Sequence, residues 1–378
     1  MDFDLSDEQR LLKDSVTSML ADKYSFEQRK ASVKAADGFN PEIWRQIADL
    51  GLLAVPFEEE YGGIGGGAQD MMIVMEAFGH ALVVEPYMAS VVLAGGAIRH
   101  AASAEQQAEW LPGLISGETR FAFAHAERQS RYDLNVCETA AKRDGDGYIL
   151  NGAKTLVLNG DSADQLIVVA RTSGAVHDRA GLGLFLVDGR AAGVSRRGYP
   201  TQDGMRAAEI TLEQVRVAVK DALGDQGGAL PAIERVADEG LAAVCAEAVG
   251  CMDEMLKLAV DYMKTRKQFG TTIGSFQALQ HRASDMFVAS EQARSMALLA
   301  AMMVTEPDAK ERAKSLSMAK VQIGKSARFV SQNAVQLFGG VGVTMEYSIG
   351  HYMKRLQMIE TMFGDTDHHL NKLGETVT

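Results

Sequence analysis

The sequence predicts an α+β fold in three consecutive parts: a helical region over residues 1–118, a β-domain over 119–226 and a helical bundle over 227–378. Three observations carry this. Apolar residues recur every three or four positions towards both ends of the chain, the spacing of a helix with one buried face. Between those regions, short apolar or alternating runs are separated by Asp-Gly and Asn-Gly breaks, the pattern of strands joined by tight turns. The chain has 378 residues, 47% hydrophobic and 23% charged, the make-up of a globular protein with room for two or three domains.

The elements follow in order. Ser6 precedes DEQRLLKDSVTSML, whose acidic first turn and apolar spacing mark an N-capped helix. Asn40 and Pro41 open a second helix that runs to Leu50, with proline at the first helical position. The glycine-rich stretch Pro56–Gly67 lacks the preceding strand and the following Lys-Ser/Thr of a phosphate-binding loop and reads as a plain loop. Ala68–Ala97 is a long apolar helical region interrupted at Pro86, and Glu105–Leu111 is a short helix ahead of Pro112-Gly113. Strands are expected in FAFAHAE, ETAAKRDGDGYILNGAKTLVLNG, DQLIVVART, GLGLFLVDG and AEITLEQVRV. Helical periodicity returns at Leu230, where Leu241, Val244, Cys245, Ala248, Met252, Met255, Ala259 and Tyr262 form one stripe. Long runs at Ala278–Val304, Pro307–Phe338 and Glu346–Met362 complete an antiparallel four-helix arrangement. Met252, Met255 and Met263 read as core packing in preference to the wall of an acyl pocket.

A formal charge of −12 argues against a general nucleic-acid binder, which must neutralise a phosphate backbone. It leaves room for a small polyanionic ligand held by a local basic patch. Cys137, Cys245 and Cys251 show no metal-ligand or CxxC spacing and read as reduced thiols, so no metal site is expected. No apolar run approaches the ~20 residues of a membrane span. The acidic opening MDFDLSDEQR is unlike a leader peptide, and the cytoplasm is the expected location.

Three blocks carry the functional signal: Tyr262–Gly270 (YMKTRKQFG), Ser275–Met286 (SFQALQHRASDM) and Gln332–Asp365, in which Leu337-Phe338 end a helix on Gly339-Gly340. In this order and spacing they resemble the C-terminal signature of the acyl-CoA dehydrogenase family. The resemblance covers essentially the whole chain and is nearest to small subunits of the pimeloyl-CoA dehydrogenase type. It implies an acyl-CoA dehydrogenase-like fold, with an N-terminal helical domain, a middle β-barrel or sandwich domain and a C-terminal four-helix bundle. It also implies FAD as cofactor and α,β-desaturation of an acyl-CoA thioester. That reaction needs a carboxylate to take the α-proton, donors for the thioester carbonyl and a flavin to accept the β-hydride.

The resemblance fails at the chemistry. Where the family carries its base after the last long helix, this chain has Phe363. Where some members carry it on the first helix of the bundle, this chain has Gly240 and Leu241. Glu239 is one residue off, which on a helix turns a side chain by about 100°, and reads as a solvent-facing glutamate and only a weak candidate base. The family's flavin-ring contacts, a Thr-Glu…Ala-Gly-Ser-Asp loop and a Trp-Ile-Thr strand, correspond here to Ala126-Glu127, Ser130-Arg131-Tyr132-Asp133 and Leu156-Val157-Leu158.

The other half of the cofactor site matches. In the family the FAD pyrophosphate and adenosine reach the neighbouring subunit's bundle, and Arg266, Gln268, Phe269, Gln277, Gln336, Gly339 and Gly340 correspond to that half. Arginine suits pyrophosphate, glutamines donate hydrogen bonds and glycines permit close approach. The resemblance therefore implies a hetero-oligomer in which a larger acyl-CoA dehydrogenase subunit supplies the catalytic Glu and ring pocket, while this chain completes the partner's FAD site. Two alternatives stay open: a non-catalytic homo-oligomeric relative that binds acyl-CoA or acts as a scaffold, and a homo-oligomeric flavoenzyme whose displaced base is Glu239 or Asp365.

Overall fold

A computed structural model describes residues 5–375; the first four residues of the acidic opening and the last three lie outside the described residues. Helices α1 (Asp7–Lys23), α2 (Phe26–Lys34), α3 (Pro41–Asp49), α4 (Ala68–Ala81), α5 (Gly95–Ala101) and α6 (Ala104–Ile115) come first. Strands β1 (Phe121–Ala124), β2 (Ala140–Asp144), β3 (Gly147–Leu158), β4 (Gln165–Arg171), β5 (Leu182–Asp188), β6 (Val194–Pro200), β7 (Arg206–Ala218) and β8 (Ala222–Gly227) follow. Helix α7 (Leu230–Thr265), the short strands β9 (Lys267–Gln268) and β10 (Thr271–Thr272), and helices α8 (Gln277–Met303), α9 (Ala309–Phe338), α10 (Ile349–Thr361) and α11 (Thr366–Glu375) complete the chain. The fold is thus helical, then β, then helical.

The caps read from the sequence are present. Ser6 accepts from the Gln9 amide, and Gln9 returns the bond in a capping box. Asn40 accepts from the Glu42 amide at 2.9 Å. Two expectations are corrected. Helix α6 starts at a second capping box, on Ser103 and Gln106, and runs through Pro112 to Ile115. The expected run from Ala68 to Ala97 is broken earlier, at Ala81, and resumes as a buried π-helical stretch over Met88–Ala94 that leads into α5.

The chain divides into two compact units. One is formed by Ala31–Gly67 and Val84–Gly240 and holds the sheet. Its strand order is β6-β7-β3-β2-β4-β5-β8, with β1 parallel beside β4. The β2–β3 hairpin pairs Asp144 with Gly147, and Gly145 between them takes φ +60°, which glycine tolerates in a tight turn. Leu150, Leu166, Val168, Phe185 and Ile210 fill the core with no exposure. Strands β6 and β8 were not among the expected ones. VSRRGYP pairs only with β7 and has no fully buried residue, so it lacks the apolar alternation that marks a half-buried strand. The Pro56–Gly67 loop spends these amides on nearby carbonyls, Ile64 on Ala54, Gly65 on Phe57 and Gly66 on Val55, which leaves them unavailable to a phosphate.

The other unit gathers the chain up to Lys30, Ala68–Val83 and everything from Leu241 onward. The stripe on α7 is buried, with Val244, Cys245, Ala248, Met252, Met255 and Ala259 at 0% exposure, so the methionines are core. Helices α4 and α7 touch backbone to backbone. A Cβ on Gly79 would lie 2.0 Å from the Glu247 carbonyl oxygen, and one on Gly250 would lie 2.0 Å from that of Glu76. Across the bundle, Arg355 of α10 grips Glu247 of α7 through two bonds of 2.6 and 2.7 Å, both side chains nearly fully buried. A buried pair contributes little net stability when intact, but removing one partner strands the other charge. Arg355→Met is therefore expected to destabilise the chain by about 3–5 kcal/mol, and Glu247→Leu/Arg355→Met to recover most of that loss, read by urea denaturation.

Candidate functional site

The nucleotide-side residues lie on the second unit around the ends of three helices. At the end of α7, the Arg266 amide donates to the Tyr262 carbonyl, and the Arg266 carbonyl accepts from Ile273 across a small hairpin. Phe269 and Gly270, at φ +52° and +79°, turn that hairpin. Phe269 is 92% exposed, and Gln277 opens α8 just beyond. The Tyr262 ring stacks on Phe338 with centroids 4.4 Å apart, which brings the end of α9, with Gln336, Gly339 and Gly340, beside the end of α7.

All seven residues are exposed. The Arg266 guanidinium and the Gln277 and Gln336 amides have no hydrogen-bond or ion-pair partner among the described residues. Gly339 caps α9 at φ +62°, ψ −144°, a conformation essentially reserved for glycine. Gly340 needs no such backbone, and a Cβ there would meet nothing within 4 Å. Its smallness leaves room that the chain itself does not use.

The ring-side positions lie on the sheet-bearing unit and are arranged differently. Glu127 is buried and turned inward. One oxygen takes Lys154 Nζ at 2.7 Å and the Thr139 amide at 3.0 Å, while the other takes the Glu138 amide and the Gln129 side chain, each at 2.7 Å. Burial alone pushes this carboxyl up, but Lys154 and the amides outweigh it and bring it down to about 2. Ser130 bonds back to the Glu127 backbone and is itself buried. On β3 the register slips between Lys154 and Val157, and Leu156 stands at φ +52° with 47% of its surface exposed. Thr155 and Tyr199 both donate to Glu209, at 2.7 and 3.1 Å. The Thr155 and Tyr199 hydroxyls and the Thr155 amide, which donates to Ala126, are thus already committed within the chain.

No carboxylate stands at either base position. Phe363 sits half-buried at φ +57° in the turn between α10 and α11, and Gly240 and Leu241 are buried in α7. The expectation that Glu239 faces solvent is corrected. Its side chain is 21% exposed and pairs with Arg99 at 2.6 Å and His100 at 2.7 Å. Burial pushes Glu239 up, yet His100 and Arg99 win and hold it below the usual carboxylate range. Asp365 caps α11 through the His368 amide at 2.8 Å. Elsewhere in the bundle unit, Glu76, His80 and Asp253 bring three ligating atoms within 4.8 Å of one another, but Arg294 pairs with both carboxylates and already answers their charge.

Sequence reasoning missed the buried groups that hold these segments. Lys320 falls in step with Leu316, Ile323 and Ala327 on α9, so a lysine on an apolar stripe was the available signal. Nothing local distinguishes Glu127 or His369.

The helical–β–helical order is matched by family comparisons over nearly the whole chain. Profiles of the acyl-CoA dehydrogenase N-terminal, middle and C-terminal domains match residues 6–118, 122–215 and 227–378. The acyl-CoA dehydrogenase FadE12 of Mycobacterium tuberculosis is 30% identical over 353 residues, 92% of this chain and 90% of the relative. Among solved structures, a variant of the Tcur3481–Tcur3483 steroid ACAD is 28% identical with a TM-score of 0.87, covering 98% of both chains. The ChsE4–ChsE5 complex of Mycobacterium tuberculosis is 25% identical with a TM-score of 0.88, covering 100% of this chain and 99% of that one. The chain belongs to the acyl-CoA dehydrogenase family, FAD-dependent oxidoreductases acting on acyl-CoA. Its nucleotide-side residues fit that cofactor, with open glycine, free guanidinium and free amides. Its ring-side residues do not fit it.

The depressed Glu127 carboxyl makes an acid-labile contribution to stability. A glutamate that titrates near 4.5 when free and near 2 when folded stabilises the chain fully above pH 4.5 and loses that effect as pH falls towards 2. The unfolding free energy should therefore fall more steeply between pH 4.5 and pH 2 in the natural chain than in Glu127→Gln/Lys154→Met, measured by urea titration at each pH.

Proposed function

We propose that this chain is the smaller, base-free subunit of a heteromeric FAD-dependent acyl-CoA dehydrogenase, a heterotetramer of the kind formed by pimeloyl-CoA dehydrogenase. A larger family member supplies the catalytic Glu and the flavin-ring pocket. This chain supplies Arg266, Gln268, Phe269, Gln277, Gln336, Gly339 and Gly340 to the nucleotide end of the partner's FAD. When bound, FAD supplies the hydride acceptor for desaturation.

The observation that carries this reading is the asymmetry between the two half-sites. Exposed, unengaged donors stand on the nucleotide side, while the ring side offers an outward Leu156 and an inward, ion-paired Glu127. A self-sufficient homo-oligomer needs both halves in one chain. Two similar structures bear paired protein names, Tcur3481–Tcur3483 and ChsE4–ChsE5, and support a partnered assembly here. Dicarboxylyl-CoA or another bulky acyl-CoA is the substrate class, the first from the resemblance and the second in keeping with the steroid ACAD. The work is placed in the cytoplasm, in fatty-acid β-oxidation, with the three domains divided near residues 118 and 226. The engagement of Glu239 by Arg99 and His100, and of Asp365 as a helix cap, weighs against either as a displaced base.

Arg266→Ala removes a charge-assisted contact worth about 1.5–3 kcal/mol. It should weaken FAD binding by the complex with a larger homologue about ten- to a hundredfold, read by flavin fluorescence on titration. An unchanged affinity with the complex intact would favour the scaffold reading.

A further inference from the structure

Helices α1, α4, α7 and α8 enclose a cavity of about 760 Å³ that lies wholly within the bundle-bearing unit. That is the size of a pocket for a drug-sized molecule. Ala21 of α1, Ala77 and Ala81 of α4 and Ala297 of α8 line it, and their small side chains leave the space open. The rest of the wall is largely apolar, with Leu20, Tyr24, Ile73, Leu82 and Tyr352 each at most 5% exposed. The Tyr352 hydroxyl is already bonded to the His80 carbonyl oxygen. None of the seven nucleotide-side residues, and none of positions 239, 240, 241 and 363, borders the cavity.

The charged groups around the cavity answer one another. Lys257 lies 3.1 Å from Glu254 and Lys13 lies 3.9 Å from Glu76, while Arg294 holds Glu76 at 3.0 Å together with Asp253. A ligand with a net charge has to break one of these pairs or bury its charge unanswered. An acyl-CoA, with its phosphates, is a poor match on that ground. The His80 imidazole, which also lines the cavity, is different. Its Nε2 stands 3.9 Å from Asp253, beyond hydrogen-bond reach, and neither ring nitrogen has a hydrogen bond among the described residues. An imidazole donates to or accepts from a hydroxyl. Water in an apolar hollow finds few partners, and an apolar body that displaces it gains affinity.

We propose that this cavity is a binding site for an uncharged amphiphile of the fatty-alcohol class. Its hydrocarbon body fills the space between α1 and the bundle, and its hydroxyl bonds to His80. The site is separate from the cofactor half-site and does not rest on the reading of this chain as a dehydrogenase subunit. Because the ligand touches α1 on one side and α4, α7 and α8 on the other, it ties the N-terminal helix to the bundle.

The test is calorimetric titration of the full chain with decanol, decanoate and decylammonium, which share a similar hydrocarbon body and differ in head charge. Decanol should bind one molecule per chain with Kd below about 0.1 mM, and both ions about tenfold or more weakly. His80→Phe, which removes the partner of the hydroxyl, should weaken decanol about tenfold. Ala297→Phe, which fills the space, should abolish its binding. The proposal is overturned if decanol does not bind, if either ion binds as tightly, or if a folded Ala297→Phe binds decanol unaltered. An unchanged affinity in His80→Phe would overturn the placing of the hydroxyl. Should Ala297→Phe fail to fold, amide hydrogen exchange of the natural chain reads the same site. Decanol near its solubility limit should slow exchange in α1 several-fold, and unchanged rates would overturn the tie between α1 and the bundle.

Discussion

A charge removed from water must be answered inside the protein, and the segments that matter here are fixed by such answers. Glu127 and Lys154 bind the loop around residues 125–139 to strand β3 in one unit. Lys320 binds the turn from Glu360 to Gly364 to helix α9 in the other. Arg171 adds to the first by donating to the carbonyls of Asn135, Cys137 and Val176. These contacts are made to backbone or between buried partners, so the geometry they impose does not depend on the outward-facing side chains.

The same buried anchors hold the loop around Glu127 and the turn after α10 whatever their outward residues. The ring-side loop keeps its inner ion pair while its outward residues are Arg131, Asp133 and Leu156. The turn after α10 keeps its left-handed residue while that residue is Phe363. At the ends of α7, α8 and α9 the Arg266 guanidinium and two glutamine amides remain unspent. The proposed dependence on a partner rests on this contrast between the two sides.

Much of the architecture was legible in the sequence because it rests on local rules. The Ser6 and Asn40 caps, the Asp144–Gly147 hairpin and the α7 stripe each follow from a few neighbouring residues. The early break of α4 and the continuation of α6 through Pro112 were not, since tertiary packing overrides local preference there. Strand β6 escaped notice because an exposed edge strand carries no apolar alternation. The site was half legible. The resemblance named candidate base and nucleotide positions, but the pairing of Glu239 with Arg99 and His100, some 140 residues away, has no trace in sequence spacing. The same holds for the bond between His369 and the carbonyl of Phe363, which depends on the turn between them.

The most direct measurement is the visible flavin absorbance of the chain purified alone, set against the same chain purified with a larger acyl-CoA dehydrogenase homologue. The account predicts a colourless protein in the first case and a yellow, dehydrogenating complex in the second. A chain that is yellow by itself, with one FAD per copy and activity unaided, would contradict it.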